Sequence, residues 1–118
     1  MVDKPHLDEE ALAELQDVME NEFPILIQTY LNDSKERIES LKAAMNVGDA
    51  DAFARTAHSF KGSCINIGAP HLGELCKEAE TAGKNERLSD VSPVLQAIEE
   101  EFQQVTDALK ELMIRGTG

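Results

Sequence analysis

Ala52-Phe53-Ala54-Arg55-Thr56-Ala57-His58-Ser59-Phe60-Lys61-Gly62-Ser63-Cys64-Ile65-Asn66-Ile67 decides the fold class, because its apolar residues return at the period of an α-helix. Phe53, Ala57, Phe60, Cys64 and Ile67 step by 4, 3, 4 and 3 and form one stripe that looks toward a core. On the same wheel His58 lies roughly 140° from the centre of the stripe, with Ala54, Lys61, Gly62 and Ile65 within about 60° of it. The face turned away from the core therefore displays a histidine.

Working outward, the same periodicity recurs on both sides. Ile27, Leu31, Ser34, Ile38, Leu41 and Met45 step by 4, 3, 4, 3 and 4, predicting a long helix after Pro24 that stops at Gly48. Asp49 or Asp51 caps the helix of His58, which ends near Gly68. Pro70 opens the next helix, whose inward residues are Leu72, Leu75, Cys76 and Ala79 and whose stop is Gly83. A polar connection follows to Pro93. Leu95, Ile98, Phe102, Val105, Leu109 and Leu112 then mark a long final helix. Ahead of all these, a weaker helix runs from about Leu7 or Asp8 to Glu20, with Asp8 as N-cap and Leu12, Leu15 and Met19 inward. The β signal is weak: one Tyr, no Trp and few alternating runs. Short connections and near-heptad seams predict an all-α, antiparallel up-and-down four-helix bundle, with the short N-terminal helix covering one end.

The 118 residues fit one domain, residues 1–118, with a single core. A formal net charge of −12 argues against nucleic acid and anionic membrane as partners, since both are bound by clustered Lys and Arg. Hydrophobic content of 42% makes this a folded acidic chain and not a disordered one. Met1-Val2-Asp3-Lys4-Pro5 lacks the apolar run of a signal peptide, and no stretch of about 18 apolar residues could span a bilayer. The expectation is a cytoplasmic protein. Cys64 and Cys76 both fall on inward faces and read as reduced core thiols.

An imidazole in water titrates at roughly pH 6.5, so at neutral pH one ring nitrogen offers a lone pair. His58 is thus a candidate nucleophile. Gly62 costs a helix about 1 kcal/mol against Ala, and on an outward face it gives a bulky partner access to the ring. Lys61, three residues on, is a candidate to offset negative charge there, and with Arg55 it makes the face locally basic. A phosphoryl group, close to doubly negative, profits most from that arrangement. Ile65 adds an outward apolar contact that suits a protein surface, so Ala54, Arg55 and Ile65 are candidate docking residues. Taken alone, His58 and Lys61 also read as an ordinary surface histidine and a solvated lysine.

Other chemistries find little support. Gly83-Lys84-Asn85 lacks the upstream glycine and the hydroxyl residue of a phosphate-binding loop, which argues against ATP binding and kinase activity. His6, His71, Cys64 and Cys76 have no metal-ligand spacing, so no metal site is expected. Glu99, Glu100 and Glu101, like Glu9 and Glu10, read as solvated carboxylates and dipole partners, and His71 as a boundary residue.

His58-Ser59-Phe60-Lys61-Gly62-Ser63-Cys64-Ile65-Asn66-Ile67-Gly68-Ala69, followed by Leu72, Cys76 and Glu80 and preceded by Gly48-Asp49, resembles the signature of histidine-containing phosphotransfer domains of bacterial phosphorelays. Phe60 stands where that family often has Leu, and Cys64 where a smaller residue is common. The resemblance implies a stand-alone bacterial phosphocarrier. In it His58 would accept a phosphoryl group from a receiver aspartate of a hybrid sensor kinase and pass it to the receiver of a response regulator. It implies further that Lys61 offsets phosphoryl charge and that Gly62 lets the receiver close over the ring. No cofactor of its own is implied, Mg²⁺ belonging to the receiver. The expected state is a monomer. The sequence leaves open which ring nitrogen reacts, Nε2 being the more exposed. It also leaves two competing readings: a helical adaptor that binds receivers or other signalling domains without chemistry, and a metal-binding bundle.

Overall fold

Five α-helices follow one another: α1 (Glu9–Met19), α2 (Phe23–Val47), α3 (Ala50–Ile67), α4 (Pro70–Lys84) and α5 (Ser92–Thr117). Single 3-10 turns lie at Glu20–Glu22 and Leu88–Asp90, and there is no strand among the described residues. The computed structural model describes residues 6–117, with side chains for 6–114. Met1–Pro5, on which the signal-peptide reading rests, and Gly118 lie outside the described residues. Helix α2 packs on α3, α3 on α4, α4 on α5, and α5 returns to α2, which closes the four-helix bundle. Among the described residues no helix is long and apolar enough to cross a membrane.

Local chemistry sets the helix ends. Asp8 and Asp49 each accept a backbone N–H from three residues on, Ala11 at 3.1 Å and Ala52 at 3.0 Å, so Asp49 and not Asp51 caps α3. Gly48 (φ +76°) and Gly68 (φ +85°) end α2 and α3 in the left-handed region, where a side chain would be strained. Pro24 and Pro70 occupy first turns, where the missing N–H costs no helical bond. The two-residue links Gly48-Asp49 and Gly68-Ala69 leave no slack, so α2, α3 and α4 run antiparallel. Helix α1 lies over the end of the bundle where α3 turns into α4. Its Asp8 N–H donates to the Gly68 carbonyl at 2.7 Å, and Leu12 is fully buried.

The core is the expected set of stripes with local shifts. Ile27, Leu31, Ser34, Ile38 and Leu41 are buried, but in the last turn of α2 Ala44 takes the inward place and Met45 is half-buried. A 3.6-residue helix drifts away from a 3.5-residue seam, and five steps accumulate that drift. Phe60 of α3 meets Phe102 of α5 edge to face, with centroids 6.5 Å apart, which ties opposite helices through the centre. Cys64 and Cys76 are free and buried, and Tyr30 Oη lies 3.3 Å from Cys64 Sγ. A hydrogen bond to Cys64, followed by burial, pushes the Cys76 thiol up, so that thiol stays protonated in the core.

Gly83 does not stop α4. The helix runs on to Lys84, and Gly83 is buried against α3, where a Cβ would meet Ala54 Cβ and N at 3.0 Å and Ala50 O at 3.1 Å. The absence of a side chain lets the two backbones approach. Ala54, expected on the open face beside His58, is accordingly only 7% exposed. Wheel arithmetic places it near His58, but α4 comes close enough at this glycine to cover it. Leu75 is half-buried. The connection after α4 also differs from a polar loop, since Val91 is fully buried and Leu88 half-buried.

Two glycines thus predict opposite outcomes. Gly83→Val should lower stability by about 1–3 kcal/mol through overpacking against α3 backbone. Gly62→Ala meets nothing within 4 Å and should raise it by up to about 1 kcal/mol through helix propensity. Urea unfolding of the two variants checks both signs.

Candidate functional site

His58 stands at the middle of α3 with its side chain 67% exposed, and among the described residues it is held at one atom: Nδ1 lies 2.8 Å from Glu80 Oε2 on α4. Glu80 sits on the inward side of α4, one turn beyond Cys76, and is 6% exposed. A carboxylate removed from water needs charged or hydrogen-bonding partners, and this one has three. Lys61 Nζ donates to Oε1 at 2.8 Å, Lys84 Nζ lies 3.1 Å from Oε2, and the imidazole shares that second oxygen. The hydrogen bond from Lys61, with help from Lys84 and His58 and against the opposing effect of burial, lowers the Glu80 pKa to about 2. At neutral pH Glu80 is therefore ionised and can only accept.

That acceptor assigns the histidine tautomer. Nδ1 must carry the hydrogen, which leaves Nε2 with the lone pair. The two ring nitrogens point to nearly opposite sides, so Nε2 is turned away from α4. On that side an open groove of about 670 Å³ runs between α3, α2 and α1. His58, Ser59 and Gly62 line it from α3, Tyr30 and Arg37 from α2, and Leu15 and Met19 from α1. Helix α1 thus supplies one apolar wall of the groove beside the histidine.

Several sequence expectations change here. Lys61 is not a free cation, because its ammonium is committed to Glu80. Arg55 is exposed but pairs with Asp51 at 3.1 Å, one helical turn away, so it adds no net positive charge to the face. Ala54 lies under α4. Gly62 has open space where a Cβ would stand, and Ile65 is 62% exposed. Glu101, read as solvated, is buried and lies 2.6 Å from His6 Nδ1, with His71 Nε2 at 3.9 Å from its other oxygen.

Glu80, Lys84 and Arg37 carry the site's electrostatics, and periodicity alone assigns none of them a role. A signal for Glu80 existed: it falls among the inward positions Cys76, Ala79 and Gly83 of α4, where an acid must find partners. Arg37 gave no such signal. It is on α2, and only the fold brings its Nε to donate to Ser59 Oγ at 3.2 Å, beside His58.

A small helical bundle that presents one anchored, solvent-facing imidazole beside a groove has the architecture of a group carrier. The sequence model of the Hpt domain family matches residues 25–108, and the chain belongs to this family of histidine-containing phosphotransfer domains. The fold is similar to the crystal structure of histidine-containing phosphotransfer protein B (HptB) from Pseudomonas aeruginosa PAO1, at TM-score 0.90 and 44% identity over 94% of this chain and 96% of that one. It is also similar to the HPT domain of the Hpt sensor hybrid histidine kinase from Shewanella, at TM-score 0.73 and 20% identity over 93% and 95% of the two chains. No curated protein sequence matches the chain. Its role is histidine phosphotransfer within a phosphorelay, in which domains of this family interact with receiver domains.

Glu80 also makes stability depend on pH. Its pKa is lower in the folded chain than the ordinary 4.5, so its contribution is fully present above about 4.5 and is lost as pH falls toward about 2. Linkage bounds it at about 3 kcal/mol. Urea midpoints measured from pH 6 to pH 2 should show wild type losing its advantage over Glu80→Gln across that interval.

Proposed function

We propose that His58 Nε2 is the phosphoryl acceptor and donor of this phosphorelay protein. The single observation behind the assignment is the exposed imidazole whose Nδ1 is held by a buried, ionised carboxylate. Attack by the Nε2 lone pair on an aspartyl phosphate forms the P–N bond as the P–O bond to the receiver carboxylate breaks. The receiver aspartate leaves as its carboxylate, a stable anion. Glu80 steadies the ring and stabilises the positive charge it gains, acting through the Nδ1–H bond. Lys61 and Lys84 keep Glu80 ionised, so Lys61 supports the transfer through the carboxylate and not by direct contact with the phosphoryl group.

Access follows from Gly62, which leaves the space one turn beyond His58 empty, and from the groove at its side. The receiver of a hybrid sensor kinase would dock here as donor and that of a response regulator as acceptor, with Ile65 and the apolar wall of α1 in contact. The receiver brings the Mg²⁺, and this chain needs no cofactor of its own. With no glycine-rich phosphate loop in the sequence, it carries phosphoryl groups without making them from ATP. It would act as a monomer in the cytoplasm.

Incubation with a phosphorylated receiver and Mg²⁺ should give an acid-labile phosphate adduct by intact-protein mass spectrometry, absent from His58→Gln. Labelling of His58→Gln would move the acceptor elsewhere, and a wild type that stays unlabelled would favour the adaptor reading. Gly62→Glu should keep the helical circular dichroism signal and abolish transfer through bulk and like charge. Lys61→Ala should slow transfer less than loss of the histidine, because it weakens the hold on Glu80 and spares the nucleophile.

A further inference from the structure

Of the cations around His58, Lys61 and Lys84 are held by Glu80 on the α4 side, and Arg55 by Asp51. Arg37 differs. It reaches from α2 to the neighbour of His58 and lines the same groove, and its hydrogen-bond partner among the described residues is neutral: Nε donates to Ser59 Oγ at 3.2 Å. No carboxylate of the described residues is within ion-pair distance of its guanidinium, and Asp33, one turn earlier and lining the same groove, is not a partner. Its two terminal amino groups are left over as a planar pair of donors.

Two further facts locate the charge. The Glu80 bond turns Nε2 away from α4 and toward the groove that His58 and Arg37 line together. Arg37 also borders a second, smaller depression with Ser40, Thr56 and Ser59, so the guanidinium forms a half-buried wall between two openings beside the histidine. A guanidinium stays charged at every physiological pH and matches two oxygens of a phosphoryl group in one plane.

We infer that Arg37 binds the phosphoryl oxygens at His58 Nε2, taking the place the sequence reading gave to Lys61. The inference rests on the proposed transfer at His58. In the phosphorylated protein the new P–Nε2 bond puts two anionic oxygens on the groove side. The terminal nitrogens of Arg37 donate to them, while Ser59 fixes the guanidinium through Nε.

Two phosphoryl donors test this: a phosphorylated receiver with Mg²⁺, and phosphoramidate, whose P–N bond breaks to release ammonia as the P–Nε2 bond forms. With both, Arg37→Gln should lower the initial rate of adduct formation about tenfold, as expected for one charge-assisted contact. Arg37→Lys should recover part of the loss, since it keeps the charge without the planar fork. Ser59→Ala should cost less than about threefold, because it loosens the guanidinium and leaves it charged. Urea midpoints and circular dichroism identify any variant whose loss is one of folding, and the Arg37→Lys recovery then decides. Rates equal to wild type with phosphoramidate overturn the inference, including the case where only receiver-driven labelling falls and Arg37 serves docking alone. If wild type labels while His58→Gln does not, the proposed function stands whatever Arg37 does. If wild type takes phosphate from neither donor, both fall.

Discussion

A carboxylate buried between two helices is the constraint on which the site depends. Glu80 cannot lie 6% exposed on α4 unless its charge is met, and the groups that meet it come from α3 and from its own helix. Satisfying it fixes the His58 ring, assigns its tautomer and commits two lysines. Helix positions alone would leave a mobile imidazole on an open surface; the buried anion orients it. The arrangement concentrates cations and an acid on the α4 side and leaves the α2 side open, with Arg37 the cation there.

That arrangement needs α3 and α4 in one register, and small residues provide it. Gly83 admits the α3 backbone at Ala50 and Ala54, while toward the other end of the interface a Cβ at Gly73 would meet Ile65 and Cys64 only at ordinary contact distance. The two-residue turn at Gly68-Ala69 sets the pairing at one end, and the contact at Gly83 sets it at the other. Between these points the helix spacing is fixed, which holds Glu80 one hydrogen bond from His58. Aromatic packing of Phe60 on Phe102 steadies the back of α3 against α5.

The helices were legible because hydrophobic period is a local signal, strong from α2 onward, and the caps Asp8 and Asp49 and the stops Gly48 and Gly68 are local signals too. The displayed His58, the open Gly62 and the exposed Ile65 followed from the same wheel. Other features needed distances between helices. Ala54 is covered because α4 comes unusually close, and the same Gly83 that permits this reads in sequence as a stop. Glu101 sits in a run of three acids that looks solvated throughout, yet a helix face is narrow enough to bury one of three consecutive residues. Lys61 was seen as a cation but not as a committed one, since its partner lies 19 residues away on another helix. Periodicity reports which way a side chain points, not what waits there.

The hydrogen on Nδ1 has a consequence for reversibility. In the proposed transfer Nε2 gains and loses the phosphoryl group while Nδ1 keeps its proton throughout, so neither stroke requires a proton to be delivered or removed. The ring that departs from phosphorus is already the neutral imidazole that can attack again. A carrier of this kind favours neither loading nor unloading by its own acid–base chemistry. Net flow is then set by the relative abundance of phosphorylated and free aspartates among its partners, and the same histidine can fill or drain the relay as those populations change.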